Sequence, residues 1–363
     1  MLRKKRWLLL LIITVVLVYF SVWPVAIDPV SWEAPSNPGY SGPFETNELL
    51  KKMEKLPIGD NHGPEDLAVD SAGHIYASTH EGRIVHLQPD GTEPENWAET
   101  GGRPLGIEFD NNGNLIVADA FLGLLSIAKD GSINELTTAA EGIPIRYAND
   151  VDIAENGLIY FTDSSTKFSA LKWGDTYVAS LLDIFEHGSH GRLLVYNPAD
   201  GSTKVLMDGL NFANGIAISR DQSYLLVNET GSYRVLRYWL TEPQKGQSEP
   251  FLSNLPAFPD NLSTGLDGRF WVALISPRNA LLDNLSDNPF LRKVIQRMPA
   301  FVRPQAESYG HIIAVDGDGN VVKNMQDPDG GYPKITTVAE TKDYLFTGSL
   351  VAPTLGRLSK DEW

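Results

Sequence analysis

Apolar and polar positions alternate along most of this chain in a phrase that occurs six times. In each phrase an apolar strand runs into a turn rich in Asp, Asn, Ser or Gly, and a second apolar strand follows. The phrases begin at Leu67, Gly106, Val151, Ile216, Asn261 and Thr336. Asp-Gly and Asn-Gly turns suit hairpins because these residues tolerate positive φ. The pattern therefore predicts a succession of antiparallel hairpins.

A third apolar segment follows most of these hairpins. The third segments begin at Gly82, Gly123, Gly191, Tyr233 and His311, and segments 204–207 and 249–252 supply fourth strands. Four-stranded units that recur about every 40 residues or more are typical of a β-propeller. We therefore predict an all-β fold, a six-bladed β-propeller over residues 46–363. A β-sandwich, the alternative, needs fewer strands and no repeat of long period.

Two long segments interrupt this period, residues 164–190 and 279–308. The second contains apolar spacing that suits a short helix over 289–298. Long insertions in a compact domain are often lids or binding loops. We expect two inserted lid segments over the central channel. Surface decoration and an apolar patch that faces a membrane are the alternatives.

The N-terminal segment has the composition of a membrane anchor. Basic residues occupy positions 3–6, and no charge follows from Trp7 to Ile27. This run is close to the ~20 residues that cross a bilayer as a helix. Because basic flanks stay inside, we predict a cytoplasmic tail (1–6), a transmembrane signal anchor (7–27), a linker or stalk (28–45) and an extracytoplasmic propeller. A cleaved signal peptide is the alternative.

Charge and cysteine content exclude several classes of function. The formal net charge is −16, so the surface should repel nucleic acid. The chain has no cysteine. Disulfides, thiolate metal sites and cysteine nucleophiles are therefore excluded.

Four oxygen-bearing side chains stand just before the first strand of units one, three, four and five. They are Glu65, Asn149, Asn214 and Asp260. In a propeller, the loops that enter the inner strands converge at one end of the axis. Two carboxylates and two amides there would balance a divalent cation, and Ca²⁺ is the natural candidate because it accepts side-chain oxygens in a flexible geometry. Four independent turn-capping residues are the alternative.

Three further residues suggest how such a site would work. Asp66 and Asp150 adjoin Glu65 and Asn149, and we expect them to orient the ligands. Hydrolysis also needs a proton acceptor, for which Asp260 and His311 are the candidates. His311 begins the strand after the second insertion and is the histidine we place nearest the channel. A buried strand histidine with a backbone partner is the alternative.

The motifs together resemble a known family. They include Tyr147-Ala-Asn-Asp, Gly157-Leu-Ile-Tyr-Phe-Thr-Asp-Ser-Ser, Leu210-Asn-Phe-Ala-Asn-Gly and Leu255-Pro-Ala-Phe-Pro-Asp-Asn. In these segments the chain resembles the strictosidine synthase-like family, in particular its type anchored by one N-terminal helix, the adipocyte plasma membrane-associated protein type. That family is related to the SMP-30/gluconolactonase and paraoxonase propellers. The resemblance implies a catalytic calcium held by residues that match Glu65, Asn149, Asn214 and Asp260, with Asp66, Asp150 and Asn261 as neighbours.

Two departures weaken any transfer of reaction from these relatives. The chain has Pro104-Leu105-Gly106 where paraoxonase-type lactonases have Pro-His-Gly. The loop before the sixth inner strand, residues 331–334, lacks the glutamate that strictosidine synthases use there. From the predicted calcium site and anchor we expect a membrane-anchored, calcium-dependent hydrolase of apolar lactones or aryl esters, in which activated water attacks a carbonyl. The alternatives are a carbon–nitrogen bond-forming enzyme of strictosidine synthase type and a non-enzymatic binding propeller with structural calcium.

Overall fold

Six four-stranded antiparallel sheets surround one axis in the computed structural model, which describes residues 2–363. From inner to outer strand they are blade 1, Leu67–Val69, Ile75–Ser78, Arg83–Leu87 and Glu95–Glu99; blade 2, Pro104–Phe109, Leu115–Asp119, Gly123–Ile127 and Ile133–Thr137; blade 3, Ala148–Ile153, Ile159–Asp163, Gly191–Asn197 and Ser202–Leu210; blade 4, Ala213–Ile218, Tyr224–Glu229, Arg234–Trp239 and Ser248–Leu252; blade 5, Ala257–Thr264, Phe270–Pro277, Gly310–Val315 and Val321–Asp327; and blade 6, Ile335–Glu340, Tyr344–Ser349, Thr354–Ser359 and Glu54–Pro57. Each inner strand contacts the next, and blade 6 contacts blade 1, so the ring is closed. The predicted six-bladed propeller is confirmed.

Blade 6 closes the ring by joining the two ends of the propeller. Its outer strand, Glu54–Pro57, pairs antiparallel with Thr354–Ser359. Behind this seam Leu67 and Phe346 belong to one buried apolar cluster that spans blades 1 and 6. Burial of such apolar surface between sheets is the main force that holds neighbouring blades together.

Within residues 2–363, five helices, five 3-10 turns and one small sheet lie outside the blades. The helices are Leu2–Val22, Ala170–Trp173, Thr176–Glu186, Ala280–Asn284 and Pro289–Gln296; the 3-10 turns are Gly42–Phe44, Leu49–Lys52, Thr230–Ser232, Ala300–Val302 and Lys360–Glu362; a small sheet pairs Ala139–Ala140 with Ile143–Pro144. Side chains that precede four of the helices cap them, as Asp175 does for the amides of Tyr177 and Val178.

Acidic residues at the end of the second strands hold the loops that lead into the inner strands. Asp119 accepts a hydrogen bond from the amide of Arg103 (2.9 Å), Asp163 from Tyr147 (3.0 Å) and Glu229 from Asn211 (2.9 Å). Each bond joins the entering loop to its own blade. The same end of every one of these blades is therefore fixed where the candidate site lies.

The inner strands of blades 2 to 6 each carry a one-residue irregularity near the beginning. In blade 3, Ala148 pairs with Asp163 and Val151 with Phe161, so three residues advance against two. The same step occurs in blades 2, 4, 5 and 6. Such β-bulges redirect side chains and increase local twist. Three of the predicted ligands thus lie inside a strand, at its bulge, rather than just before it.

The N-terminal helix and the segment after it differ in detail from the sequence expectation. The helix ends at Val22, earlier than the predicted end at 27. Its segment Arg3–Val22 has no buried residue and a mean hydropathy of 2.0, so it is a candidate membrane span. Residues 24–41, here called the strap, form no helix or strand. Residues 24–27 of the strap belong to the predicted anchor, and residues 28–41 belong to the predicted linker or stalk. The strap is bound to both insertions, because the Val30 amide donates to Glu186 O (2.9 Å) and the Trp32 amide to Ser286 O (3.1 Å).

Candidate metal centre

The bulges bring the four predicted oxygen ligands to one place. Glu65, Asn149, Asn214 and Asp260 are buried and line the same cavity at the end of the channel. Each is the first residue of the bulge in its blade; in blade 1 the equivalent geometry is made by Glu65 and Asp66 opposite Ser78. Blade 2 places Leu105 at this position. The ring of side chains is thus a consequence of the repeat.

Two glycines allow neighbouring inner strands to approach closely at this level. A Cβ on Gly106 would lie 2.5 Å from Asp150 Cα, and a Cβ on Gly215 would lie 2.5 Å from Asp260 O. Both distances are far inside van der Waals contact. Glycine is therefore required at the second bulge position of blades 2 and 4, because backbone occupies the space of a side chain.

The orientation of the Asn149 amide follows from its neighbours. Ser164 Oγ donates its only hydrogen to Ala213 O of the next blade (2.6 Å). Toward Asn149 the same hydroxyl can therefore only accept, and Asn149 Nδ2 donates to it (2.8 Å). With its Nδ2 group committed there, Asn149 presents Oδ1 to the cavity.

The next blade repeats this arrangement. Thr230 Oγ1 donates to Pro259 O (2.7 Å) and accepts from Asn214 Nδ2 (3.1 Å). Asn214 Nδ2 also donates to Asp260 Oδ1 (2.6 Å). Asn214 Oδ1 is thereby left to face the cavity. Thr230 and Ser164, which set these orientations, lie in the segments Asn228-Glu-Thr and Asp163-Ser-Ser. The sequence did not reveal this role.

One oxygen of each of the four side chains is buried without a hydrogen-bond partner in the described protein. These atoms are Glu65 Oε2, Asn149 Oδ1, Asn214 Oδ1 and Asp260 Oδ2. Buried acceptors without partners are costly. Within residues 2–363, no cluster of three or more His, Cys, Asp and Glu side chains is placed to hold a metal, so the two asparagine oxygens are needed. The four oxygens fit a hard divalent cation.

Burial also changes the acidity of the two carboxyl groups. Burial raises the pKa of Glu65 to about 7, while Arg103 opposes the rise and Asp66 adds to it. The pKa of Asp260 is also raised well above its ordinary value, mainly by burial and further by Glu65. Two buried carboxylates side by side favour protonation. A bound divalent cation would hold both in the charged form.

An arginine that the sequence did not single out stands beside this ring. Arg103 is buried, and its Nη2 lies 3.6 Å from Glu65 Oε2. Its Nη1 donates to Pro104 O (2.9 Å), while Nε and Nη2 have no partner in the described chain. Its position two residues before Leu105, the ring position of blade 2, was the signal available. The ring therefore combines two negative charges with one positive charge.

The three predicted neighbours of the ligands tie the inner strands together. Asp66 Oδ2 accepts from the Ile107 amide (2.9 Å), which joins blade 1 to blade 2. Asp150 Oδ2 accepts from the Ile216 amide (2.8 Å), which joins blade 3 to blade 4. Asn261 Nδ2 donates to Glu65 O (3.3 Å). These groups hold the backbone that carries the ligands.

His311 does not belong to the site, and the expectation that it lies nearest the channel is wrong. It lies in the third strand of blade 5, fully buried, with Nε2 2.9 Å from Asn324 Oδ1 and its ring against Tyr40. Burial lowers the pKa of His311 to about 4. The third strand of a blade is remote from the axis, so a strand-initial histidine after an insertion was a poor indicator. Of the two proposed proton acceptors, only Asp260 lines the cavity.

Both insertions form the roof of the cavity, as expected of lids. The cavity has a volume of about 320 Å³. Its walls are mainly apolar, with Leu105, Tyr147, Phe212, Phe258 and Ile275 from the blades, Tyr177, Leu181 and Phe185 from the first insertion, and Leu282, Ala300 and Pro304 from the second. Phe168 and Trp173, two further aromatic residues of the first insertion, are not among the lining residues. The site thus joins a polar floor to an apolar chamber.

The six blades and the four oxygens on the cavity floor define a propeller with a candidate cation site on its axis. The sequence model described as Strictosidine synthase matches residues 149–243, and the one described as Strictosidine synthase-like, N-terminal matches residues 42–87. The chain is 33% identical over 358 residues to Protein STRICTOSIDINE SYNTHASE-LIKE 6 of Arabidopsis thaliana, a match that covers 96% of this chain and 93% of that protein. The chain therefore belongs to the strictosidine synthase-like family.

Two other similarities bear on the anchor and the fold. The chain is 33% identical over 358 residues to the adipocyte plasma membrane-associated protein of Rattus norvegicus, covering 92% of this chain and 93% of that protein. A gluconolactonase of Xanthomonas campestris has a similar structure, with a TM-score of 0.61 and 17% identity over 93% of this chain and 99% of that chain. The first similarity and the apolar helix together suggest membrane anchoring, and the second confirms the propeller fold.

Proposed function

We propose that this protein is a calcium-dependent hydrolase of apolar esters or lactones, with an aryl ester or lactone as the substrate class. One observation carries the proposal: four buried, unpartnered oxygens form the floor of an apolar cavity of about 320 Å³. The floor offers a site for a hard cation, and the walls offer a site for an apolar acyl or aryl group. The structural likeness to a gluconolactonase propeller is compatible with this class of reaction.

Each group in the cavity has a role in this proposal. Glu65, Asn149, Asn214 and Asp260 would hold Ca²⁺, which when bound supplies polarisation of a carbonyl oxygen and of water. Asp260 would also accept the proton of the attacking water from its place beside the cation, since its carboxylate lines the cavity. The roof excludes bulk water, and Leu105 and Phe258 orient the apolar part of the substrate.

Hydrolysis of a chromogenic aryl ester and of a lactone by the full chain in detergent micelles tests this function. We expect turnover with calcium and none after EGTA. Asp260→Asn should lose at least about 100-fold in kcat, in keeping with loss of a general base. Asp208→Asn, an exposed carboxylate on the outer strand of blade 3, is the matched control and should retain full activity. Full activity of Asp260→Asn would refute the mechanism.

A second function is favoured by one feature of the same cavity. None of the described residues that line it is a histidine, so Asp260 and Glu65 are its acidic or basic candidates besides Arg303. A binding propeller with a structural cation needs no base. In that case calcium would raise the Tm, and no ester or lactone would be turned over. No feature of the cavity favours carbon–nitrogen bond formation.

We also propose that the helix Leu2–Val22 anchors the protein as a single-pass membrane protein, with its N-terminus in the cytoplasm and the propeller outside. Its hydropathy and its exposure support this arrangement, as does the basic cluster at positions 3–6. Because the chain has no cysteine, single cysteines report topology without background. In intact cells a membrane-impermeant maleimide should label Asp208→Cys and not Lys4→Cys; the opposite pattern would invert the orientation.

A further inference from the structure

The helix Pro289–Gln296 in the second insertion has its polar and apolar sides reversed. Arg292 is 0% exposed, while Phe290 is 54% exposed and Leu291 is also exposed. A helix of a soluble domain normally turns its apolar stripe toward the core. Here the charged side chain is inside, and the largest apolar side chains face outward.

Buried hydrogen bonds fix this reversed orientation. The Arg292 guanidinium donates to the carbonyl oxygens of Phe185 (3.0 Å), Glu186 (3.2 Å) and Ser286 (3.0 Å), and to that of Val30 in the strap. It therefore joins the first insertion, the second insertion and the strap. Rotation of the helix to bury Phe290 would break all of these bonds and bury an unpaired charge.

Exposed apolar side chains are concentrated in the two insertions. Beyond residue 23, eight of the fourteen exposed large hydrophobic residues lie there: Leu171, Trp173, Val178, Leu281, Phe290, Leu291, Phe301 and Val302. Phe301 is 84% exposed. We use the name roof patch for Phe290, Leu291, Phe301 and Val302. Exposed apolar side chains concentrated in one region of the chain in this way are typical of an interaction site.

Arg297 connects the roof patch to the end of the N-terminal helix. Its guanidinium donates from Nη1 to Phe20 O (2.9 Å) and from Nε to Trp23 O (2.6 Å), and its carbonyl accepts from Tyr19 Oη (3.1 Å). A cation is favourable at a helix C-terminus, where carbonyls lack partners. Tyr19 and Trp23 are aromatic residues of the type enriched at the membrane interface.

The length of chain between these points limits how far the patch can be from the bilayer. Phe301 lies four positions after Arg297, and a chain advances at most ~14 Å over four positions. If Phe20–Trp23 lie at the interface, the roof patch lies at or near headgroup depth. The wall of the cavity is equally close, because Ala300 and Arg303, on either side of Phe301 and Val302, line it.

We propose that the roof patch inserts into the outer face of the membrane that the N-terminal helix spans, so that the cavity opens at the lipid surface and takes apolar ligands from it. The partner is a lipid surface of zwitterionic lipid, since a chain with a net charge of −16 is repelled by anionic lipid. This inference rests on the membrane anchor proposed above and is independent of hydrolysis.

Nitroxide labels on single cysteines in the full chain, reconstituted in phosphatidylcholine nanodiscs, test the inference. Phe301→Cys places a label in the roof patch. Leu10→Cys places one in the N-terminal helix and tests the anchor itself. Leu266→Cys is the matched control, because this exposed leucine lies in the turn after the inner strand of blade 5, at the other end of the propeller. Collision with lipid-soluble oxygen and with a water-soluble nickel chelate is measured for each label.

We expect the labels at Leu10 and Phe301 to collide at least about five times more with oxygen, relative to the nickel chelate, than the label at Leu266. A label at Phe301 that behaves like the one at Leu266 while Leu10 lies in lipid would overturn the inference and leave the anchor intact. A label at Phe301 that is shielded from both reagents would mean that a second copy covers the patch, which also overturns it. An aqueous label at Leu10 would overturn both the anchor and the inference, without bearing on hydrolysis.

Discussion

The guanidinium of Arg103 lies 3.6 Å from the carboxylate of Glu65, and both side chains are buried at the floor of the cavity. The pair lowers the negative charge of the ring while leaving one Glu65 oxygen unpartnered. The arginine should therefore weaken cation binding and stabilise the cation-free protein. This balance leads to the first prediction.

Replacement of Arg103 by methionine should destabilise the protein without calcium but raise its affinity for calcium. In EGTA the free energy of unfolding should fall by about 3 kcal/mol, because Glu65 loses its buried partner. Calcium should bind at least about tenfold more tightly, because a like charge is removed from its vicinity. Calorimetry measures both the unfolding free energy in EGTA and the calcium affinity. Arg220→Met, at an exposed arginine, is the control. Unchanged calcium affinity would show that Arg103 does not act on the site.

The orientation of Asn149 supplies a second prediction. Ser164→Ala removes the acceptor for Asn149 Nδ2 and the donor to Ala213 O. We expect a loss of about 1–3 kcal/mol in unfolding free energy, the cost of leaving such groups unpaired, and weaker calcium binding because the amide is no longer held. Titration with calcium measures the affinity. Ser202→Ala, on an outer strand, is the control; if both variants bound calcium like the parent protein, the orientation argument would be wrong.

Close approach of blades 4 and 5 at the axis gives a third prediction. Gly215→Ala would place a Cβ 2.5 Å from Asp260 O, so the inner strands must separate. Overpacking of this kind costs about 1–3 kcal/mol, and the shift should also weaken calcium binding by moving Asp260. Gly317→Ala is the control, because its Cβ meets its nearest neighbour at 3.6 Å. Equal thermal stability of the two variants would contradict the tight packing.

The carboxyl group of Glu108, on the inner strand of blade 2, gives a fourth prediction. Burial and, to a smaller extent, the neighbouring Asp152 together raise the pKa of Glu108 to about 8. Between about pH 4.5 and 8 the folded protein therefore holds a proton that the unfolded chain has lost, and the free energy of unfolding falls as pH rises.

Glu108→Gln, which is neutral at every pH, should remove this loss. In EGTA the variant should match the parent near pH 4.5 and exceed it by about 4 kcal/mol in unfolding free energy near pH 8. Urea unfolding across this range measures the difference, with the exposed Glu95→Gln as control. A parent protein whose unfolding free energy rose with pH over this range would contradict the prediction.

The repeat explains why so much of the fold was predictable. Six phrases at similar spacing gave the blades, and equivalent positions within them placed Glu65, Asn149, Asn214 and Asp260 on one axis. Arg103 was missed because its importance depends on a side-chain direction that no spacing reveals. His311 was misplaced although its segment was correctly predicted as a third strand, because third strands lie away from the axis and the histidine was judged by its place after an insertion. The reversed helix at Pro289–Gln296 also escaped prediction, since its apolar spacing fits a core-facing helix equally well.

The central claim is that the four floor oxygens bind calcium, and direct measurement of bound metal tests it. The full chain in detergent, freed of metal by EGTA and then equilibrated with calcium, should retain about one calcium per chain, with Glu65→Gln binding at least about tenfold more weakly because one of two carboxylates is lost. Magnesium at the same concentration should not displace it. A folded protein that binds no calcium, or a Glu65→Gln variant that binds it as tightly as the parent, would contradict the claim.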